Sequence, residues 1–154
     1  MVDINLSVVG FGNRLYADDG IGLVVLEHLE KVTLPDGVET VYGGTDGFVL
    51  IDLFRKKKRV LIIDAVKMGK KPGDVCIFEL DADNLNIIED HISFHSFGLS
   101  EILNLTRQLK IEPKAKITGI EPMNLKLGDA ISPEVEKKIP EIVRKIVEEC
   151  KSYV

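Results

Sequence analysis

The chain has 154 residues, of which 45% are apolar and 29% are charged, and it carries a formal net charge of −5. This length and composition predict a single globular domain spanning 1–154, large enough to bury a core without disulfide bonds or a structural metal. The negative charge and the lack of a basic stripe argue against a protein that binds nucleic acid or an anionic membrane. The dense basic run at 55–59, RKKKR, is interpreted as a solvated loop.

The spacing of the cysteines and the N-terminal sequence favour a cytoplasmic location. Cys76 and Cys150 lie far apart without CxxC spacing, which argues against a zinc knuckle and against a disulfide framework. The sequence shows neither a signal-peptide pattern nor an apolar run long enough to span a bilayer. We therefore expect a cytoplasmic protein, and the pattern does not indicate an oligomeric state.

Strands and helices alternate in the first half of the chain. An apolar run that ends in glycine predicts a buried strand over 4–10, and apolar residues at helical spacing predict a helix over 21–32. A Pro-Asp-Gly turn and a short strand follow over 34–44. The next pattern predicts a helix over 45–56, with Thr45 as its candidate N-cap.

The second half continues the alternation. A β-branched apolar run over 60–66 is the strongest strand pattern in the chain. It is followed by a strand over 75–80, an irregular stretch over 81–93, a helix over 97–109, a strand over 115–122 and a helix over 132–154 with Ser132 as cap and Pro133 in its first turn.

This alternation predicts an α/β fold with three layers, in which a mostly parallel sheet is covered by helices on both faces. Sites in such open sheets form outside the carboxyl ends of the strands. The residues just beyond the predicted strand ends are 10–19, 43–46, 64–67 and 121–124. His95, which lies just before a predicted helix, could face the same edge.

The first of these loops carries glycines that suggest a nucleotide site but do not complete one. Gly10, Gly12 and Asn13 form GxGN after a strand, whereas the dinucleotide fingerprint GxGxxG requires a third glycine at the position of Leu15. The glycines are also explained by a tight turn alone.

Asp18 and Asp19 stand side by side before the first helix, although one aspartate suffices to cap it. One interpretation is structural: one carboxylate caps the helix and the other interacts with its dipole. In the functional interpretation Asp18 caps the helix, and Asp19 points into the crevice at the strand ends as a metal ligand or an acid/base group.

Asp64 and His95 complete a candidate site. Asp64 ends the strongest buried strand, where a carboxylate is costly unless it has a partner or reaches solvent; it could instead accept N–H groups of a neighbouring loop. A single histidine such as His95 is more often structural or exposed than a ligand. Taken with Asp19, however, the set suits a divalent first-row metal and leaves coordination positions open. No GxSxG elbow is present, and Cys76 lies mid-strand, so a serine or cysteine nucleophile is not indicated.

Four sequence blocks resemble those of the nickel-iron hydrogenase maturation endopeptidases, in the same order along nearly the whole chain. The block VVGFGNRLYADDGIGLVVLEHL is similar to the opening GxGNxLxxDDGxG pattern of that family. The blocks GGTDGFVLIDL and LIIDAVKMGKKPGDV resemble the second and third, and SFHSFGLSEIL resembles the fourth, an HxxGL pattern.

The resemblance implies a five-stranded sheet and a specific activity. Such enzymes remove a C-terminal extension from the precursor of the hydrogenase large subunit after nickel has been inserted. Carried over by position, Asp19, Asp64 and His95 would bind metal, with Asp19 and Asp64 as the candidate catalytic groups. The metal would be the nickel carried by the substrate, and we expect no tightly held metal of the protein's own.

The resemblance also suggests how the tail is bound. Gly43, Gly44 and Gly47 would shape a backbone-lined groove for an extended tail, and the side chains of Tyr42, Phe48 and Met123 would select among tails. We expect Asp19 to be exposed, so that Asp19→Asn abolishes processing and leaves folding nearly intact.

Alternatives remain open at this point. Water could be activated by a carboxylate as general base, or the nickel could polarise the scissile carbonyl. Different hydrolases on a similar sheet would be a nucleosidase, a phosphorylase, an aminoacyl-ester hydrolase or a germination-type peptidase. A metal-sensing chaperone could use the same three residues to dock the precursor without cutting it.

Overall fold

The computed structural model describes residues 3–80, 93–94 and 98–153. Its strands are β1 (Leu6–Phe11), β2 (Val38–Gly44), β3 (Val60–Lys67), β4 (Val75–Leu80), β5 (Ser93–Phe94) and β6 (Ala115–Ile120). Its α-helices are α1 (Ile21–Glu30), α2 (Phe48–Arg55), α3 (Leu99–Gln108), α4 (Pro133–Glu136) and α5 (Ile139–Lys151). A 3-10 segment, Arg14–Gly20, precedes α1.

Five strands form one sheet in the order β2-β1-β3-β6-β4. The pairs β1–β2, β1–β3 and β3–β6 are parallel, and β4 is antiparallel to β6. The two-residue strand β5 pairs with the end of β3, where Phe94 lies opposite Val66. The predicted α/β fold with a mostly parallel five-stranded sheet is confirmed.

Helices cover both faces of this sheet and explain why its central strands are apolar throughout. All six residues of β1 are buried, as are Val60 to Val66 of β3. One core cluster joins Val9, Phe11 and Ile62 to α2 and α3. A second cluster joins the alternate side chains, such as Val8 and Ile63, to α1, α4 and α5. Because period-2 alternation sends neighbouring side chains to opposite faces, a strand buried on both sides needs apolar residues at almost every position.

Two helix predictions need correction. The N-cap of α2 is Gly47, not Thr45, and Asp46 Oδ1 accepts a hydrogen bond from Phe48 N at 3.0 Å. The terminal helix predicted over 132–154 is broken into α4 and α5. Pro140 lies in the first turn of α5, and because proline has no N–H it cannot continue the hydrogen-bond ladder of α4.

Ser132 and the basic run lie where the sequence places them. Ser132 occupies the N-cap position of α4, with Pro133 in its first turn, but its side chain makes no capping bond. The basic run begins at the last residue of α2 and continues through an exposed connection into β3, as expected for a solvated loop. The irregular stretch predicted over 81–93 lies, except for its last residue, outside the described residues. In the described part of the chain, no helix has the length and apolar character needed to cross a bilayer.

Candidate functional site

The start of α1 lies against the carboxyl end of β3 because glycine permits the approach. A Cβ atom added to Gly22 would lie 2.5 Å from the Ile63 carbonyl oxygen, and one added to Gly12 would lie 2.4 Å from the Asp19 carbonyl oxygen. Gly22 is about one helical turn beyond Asp19, and Ile63 directly precedes Asp64. The structure therefore brings Asp19 and Asp64 to the same edge of the sheet, on neighbouring segments.

Asp19 is buried, with only 3% of its surface exposed, so the expectation of an exposed carboxylate is wrong. Asn13 N donates a hydrogen bond to Asp19 Oδ2 at 3.2 Å, which closes the loop over the GxGN stretch. The helix that follows has Gly20 at its N-cap and no side-chain cap. Asp19 is thus held by the loop before it, and its carboxylate is not used to cap α1.

Asp18 does not cap α1 either, contrary to the sequence interpretation. Its carboxylate is fully buried and accepts four hydrogen bonds from the connection between β6 and α4. Met123 N and Asn124 N donate to Oδ2, both at 2.9 Å, while Ser132 donates from N to Oδ1 at 2.7 Å and from Oγ to Oδ2 at 2.8 Å. Asp18 therefore anchors that connection. The Ser132 hydroxyl donates to Asp18, and its oxygen accepts no capping hydrogen bond from the first turn of α4.

Asp64 is fully buried within β3, which continues to Lys67. Its Oδ1 accepts a hydrogen bond from Ala65 N at 2.8 Å, a donor in its own strand. Strand alternation places Asp64 on the same face as Ile62 and Val66, which pack with α2 and α3.

His95, the third predicted metal ligand, lies outside the described residues. The chain is described on both sides of it. Phe94 pairs with Val66, two residues beyond Asp64, and Gly98 is the N-cap of α3. Among the described residues alone, no group of three or more His, Cys, Asp or Glu side chains is placed to hold a metal ion.

Glu121 is a buried acid whose role the sequence analysis missed. Its Oε1 accepts hydrogen bonds from Met68 N and Lys70 N, both at 2.8 Å, and so fixes the loop between β3 and β4. The position of Glu121 directly after a buried strand could have indicated this role, because a buried carboxylate at the end of β6 needs hydrogen-bond partners as much as one in β3 does.

The predicted groove glycines occupy positions that favour glycine. Gly43 is the extra residue of a bulge in β2, where an added Cβ atom would be 2.5 Å from the Phe11 ring and 2.8 Å from the Gly10 carbonyl oxygen. Gly44 has a φ of +60°, which favours glycine. The side chains that were predicted to select tails are exposed at this rim, namely Tyr42, Phe48 and Met123.

The chemistry available here follows from two buried carboxylates at one edge. Buried carboxylates can bind a divalent cation or accept a proton from water, and both interactions are stronger where water is scarce than in bulk solvent. The carboxyl ends of the strands are also where open parallel sheets bind their ligands.

Comparison with known proteins identifies related families and folds. A family model described as hydrogenase maturation protease matches residues 23–149. The hydrogenase 2 maturation protease of Escherichia coli is 31% identical over 147 residues, covering 94% of this chain and 89% of that protein. The solved structure of the hydrogenase maturating endopeptidase HybD from E. coli superposes with a TM-score of 0.76 at 29% identity, over 97% of this chain and 93% of the other. The [NiFe] hydrogenase maturation protease HybD from Thermococcus kodakarensis gives 0.72 at 27% identity, over 96% and 99%.

Proposed function

The chain belongs to the hydrogenase maturation protease family, and from that premise we propose that it removes a C-terminal extension from the precursor of a nickel-iron hydrogenase large subunit after nickel insertion. The observation that carries the proposal is the burial of Asp19 and Asp64 at the carboxyl end of the sheet. Carboxylates are costly to bury, and a site that binds a cation or moves a proton accounts for the pair.

In this proposal the nickel belongs to the substrate. Asp19, Asp64 and His95 supply oxygen and nitrogen ligands of the kind that suit divalent first-row metals. Three protein ligands leave the remaining positions to groups of the precursor. The site thereby recognises a precursor that already holds its metal, and a stronger chelating set would compete with the precursor for it.

For the hydrolysis itself we propose a carboxylate as general base. Asp19 or Asp64 takes a proton from the water whose oxygen attacks the scissile carbonyl carbon. The carbon–nitrogen bond then breaks, and the proton passes to the leaving amine. Polarisation of the carbonyl by the substrate's nickel would assist the same step. The free thiols of Cys76 and Cys150 fit a reducing compartment, so the cytoplasm is the proposed location.

The direct test is the intact mass of a nickel-loaded large-subunit precursor after incubation with the protein, beside a sample prepared without nickel. We expect loss of a C-terminal peptide in the loaded sample only. Cleavage in both samples would contradict the proposed recognition of nickel. Binding without any change of mass would favour a docking chaperone.

Substitutions then test the residues. Asp19→Asn and Asp64→Asn should each lower the cleavage rate by about 100-fold or more, the range expected for loss of a general base or a metal ligand. His95→Ala should weaken processing as well. Matched controls are Asp36→Asn, an exposed aspartate in the turn before β2, and His28→Ala, an exposed histidine in α1. Equal losses in controls and site variants would refute the assignment.

A further inference from the structure

Four large apolar side chains are exposed beside the buried carboxylates. They are Leu15 and Tyr16 in the 3-10 segment, with 65% and 41% of their surfaces exposed, and Met123 and Leu127 in the connection between β6 and α4, with 57% and 66%. We call these four residues the apolar platform. Single exposed apolar residues are ordinary, but several on neighbouring segments are typical of a binding surface.

Hydrogen bonds join the two segments that carry the platform. Gly128 N donates to the Leu15 carbonyl oxygen at 2.7 Å, and Asp18 N donates to the Asn124 carbonyl oxygen at 2.9 Å. The Asp18 carboxylate binds the backbone N–H groups of Met123 and Asn124 from the same side. The platform is therefore held in place before any partner arrives, which lowers the entropy lost on binding.

The backbone between Tyr16 and Asp18 is also unusual. Ala17 is buried and has φ of 53° and ψ of −120°, a conformation that residues other than glycine rarely adopt. Such a conformation persists only where surrounding contacts fix it, and it is found at functional sites. Here the contacts are those of Asp18, so one buried residue fixes both the platform and the segment leading to Asp19.

Two polar interactions lie beside the platform. Arg14 forms an ion pair with Glu27, and Asn124 Nδ2 donates to Asp129 Oδ2 at 2.8 Å. The surface thus offers apolar contact area on rigid backbone, which suits a folded protein better than a small charged ligand.

The position of the platform identifies its occupant. Leu15 is four residues before Asp19, so the two lie within about 14 Å even in an extended chain. The cleavage site of the substrate has to reach Asp19. When that site lies only a few residues from the folded body of the substrate, the body lies over Leu15 and its neighbours. We propose that the apolar platform docks the folded body of the precursor, while the crevice receives its tail; this rests on the proposed function.

The test compares Leu15→Ser, Leu127→Ser and the double variant with Leu109→Ser, a control at the end of α3 whose leucine is 45% exposed. Steady-state cleavage of nickel-loaded precursor gives KM and kcat, and a titration of uncleaved precursor gives the dissociation constant. We expect the double variant to raise both KM and the dissociation constant at least tenfold, equivalent to about 1.4 kcal/mol. The value of kcat should stay within twofold, and the control should match the wild type.

Each other outcome has a definite meaning. Unchanged KM and dissociation constant in the double variant would overturn the platform. A loss of kcat alone would show that these residues act on the chemical step and not on docking, which would also overturn it. A wild-type dimer that the double variant dissociates would assign the platform to self-association. If the wild type binds precursor but never cleaves it, the proposed function fails, and the dissociation constants still decide the platform.

Discussion

At the scale of single residues, two adjacent aspartates with the same sequence environment have different roles. Asp18 accepts four hydrogen bonds from donors in the connection between β6 and α4, whereas Asp19 accepts a hydrogen bond from Asn13 N in its own loop and lies at the same end of the sheet as Asp64. A carboxylate that accepts several hydrogen bonds fixes the groups that donate to it. Asp18 therefore has a structural role, whereas the chemical role that we propose belongs to Asp19.

This division predicts opposite phenotypes for two isosteric substitutions. Asp18→Asn replaces one accepting oxygen by an NH₂ group that faces donors, so it should lower the free energy of unfolding by about 3 kcal/mol. Asp19→Asn removes a buried negative charge and retains an oxygen for Asn13 N, so stability should stay within about 1 kcal/mol of the wild type while processing is lost. Urea unfolding midpoints measure both effects. Equal destabilisation by the two substitutions would contradict the assignment.

The sequence could predict that Asp19 and Asp64 lie at the same end of the sheet, but not which groups hold each of the adjacent aspartates. Asp19 and Asp64 were found because each follows or ends a buried strand, a local pattern. The donors to Asp18 are separated from it by 105, 106 and 114 positions in the chain. No local sequence pattern indicates such distant contacts, and the pattern around Asp18 favours a cap on the nearby helix α1. The burial of Asp19 likewise depends on packing that a local pattern does not indicate.

At the scale of elements, the site depends on how closely α1 approaches the sheet. The carbonyl oxygens of Phe11 and Ile63 would lie 2.1 and 2.5 Å from a Cβ atom on Gly22, distances that no relaxation of side chains can relieve because both atoms are backbone. Gly22→Ala must move the helix or the strands. We expect a loss of about 3 kcal/mol of stability and a large loss of processing, since the shift displaces Asp19 from Asp64.

A matched substitution on the exposed side of α1 separates this clash from an effect on the helix itself. Glu30 is an exposed residue of the same helix, so the free energy of unfolding of Glu30→Ala, measured by thermal unfolding, should stay within about 0.5 kcal/mol of the wild type. If Gly22→Ala is as stable and active as Glu30→Ala, α1 does not set the geometry of the crevice.

The elements themselves were largely predictable, because their patterns are local. Strand 75–80 was predicted with its observed bounds, and strand 60–66 to within one residue, since apolar runs in a covered sheet leave little ambiguity. The errors fell at helix starts. Thr45 resembled a cap as closely as Asp46 and Gly47 did, and the effect of Pro140 was overlooked although proline restricts a helix in a predictable way.

At the scale of the whole molecule, the sheet has a different chemistry at each edge. The carboxyl edge holds the buried aspartates, and the start of β6 meets the end of α5 towards the amino edge. There Lys116 donates a hydrogen bond to Glu149 at 2.8 Å, and the charges of Lys116 and Arg59 lie 5.7 and 5.8 Å from the centre of the Tyr153 ring. Cys150 is fully buried beside them.

Three groups in this region predict a loss of stability at alkaline pH. Burial raises the pKa of the Cys150 thiol from 9.0 to about 11. Burial also raises the pKa of Tyr153, and the hydrogen bond to Glu149 raises the pKa of Lys116. Each group holds its proton more tightly in the folded state than in the unfolded state. Their contribution is therefore complete below the unfolded pKa values and is lost as pH rises through the folded ones.

For Cys150 the expected loss is about 2 to 3 kcal/mol of unfolding free energy between pH 9 and pH 11, from the change in its pKa alone. Urea unfolding at pH 7, 9, 10 and 11 measures it. Cys150→Ala should be about 1 kcal/mol less stable at pH 7, because a small cavity replaces the sulfur, but its stability should fall less steeply above pH 9. Cys76→Ala should keep the steep slope, because it leaves Cys150 in place. The same slope in wild type and Cys150→Ala would show that the alkaline loss arises elsewhere, since alanine has no proton to release.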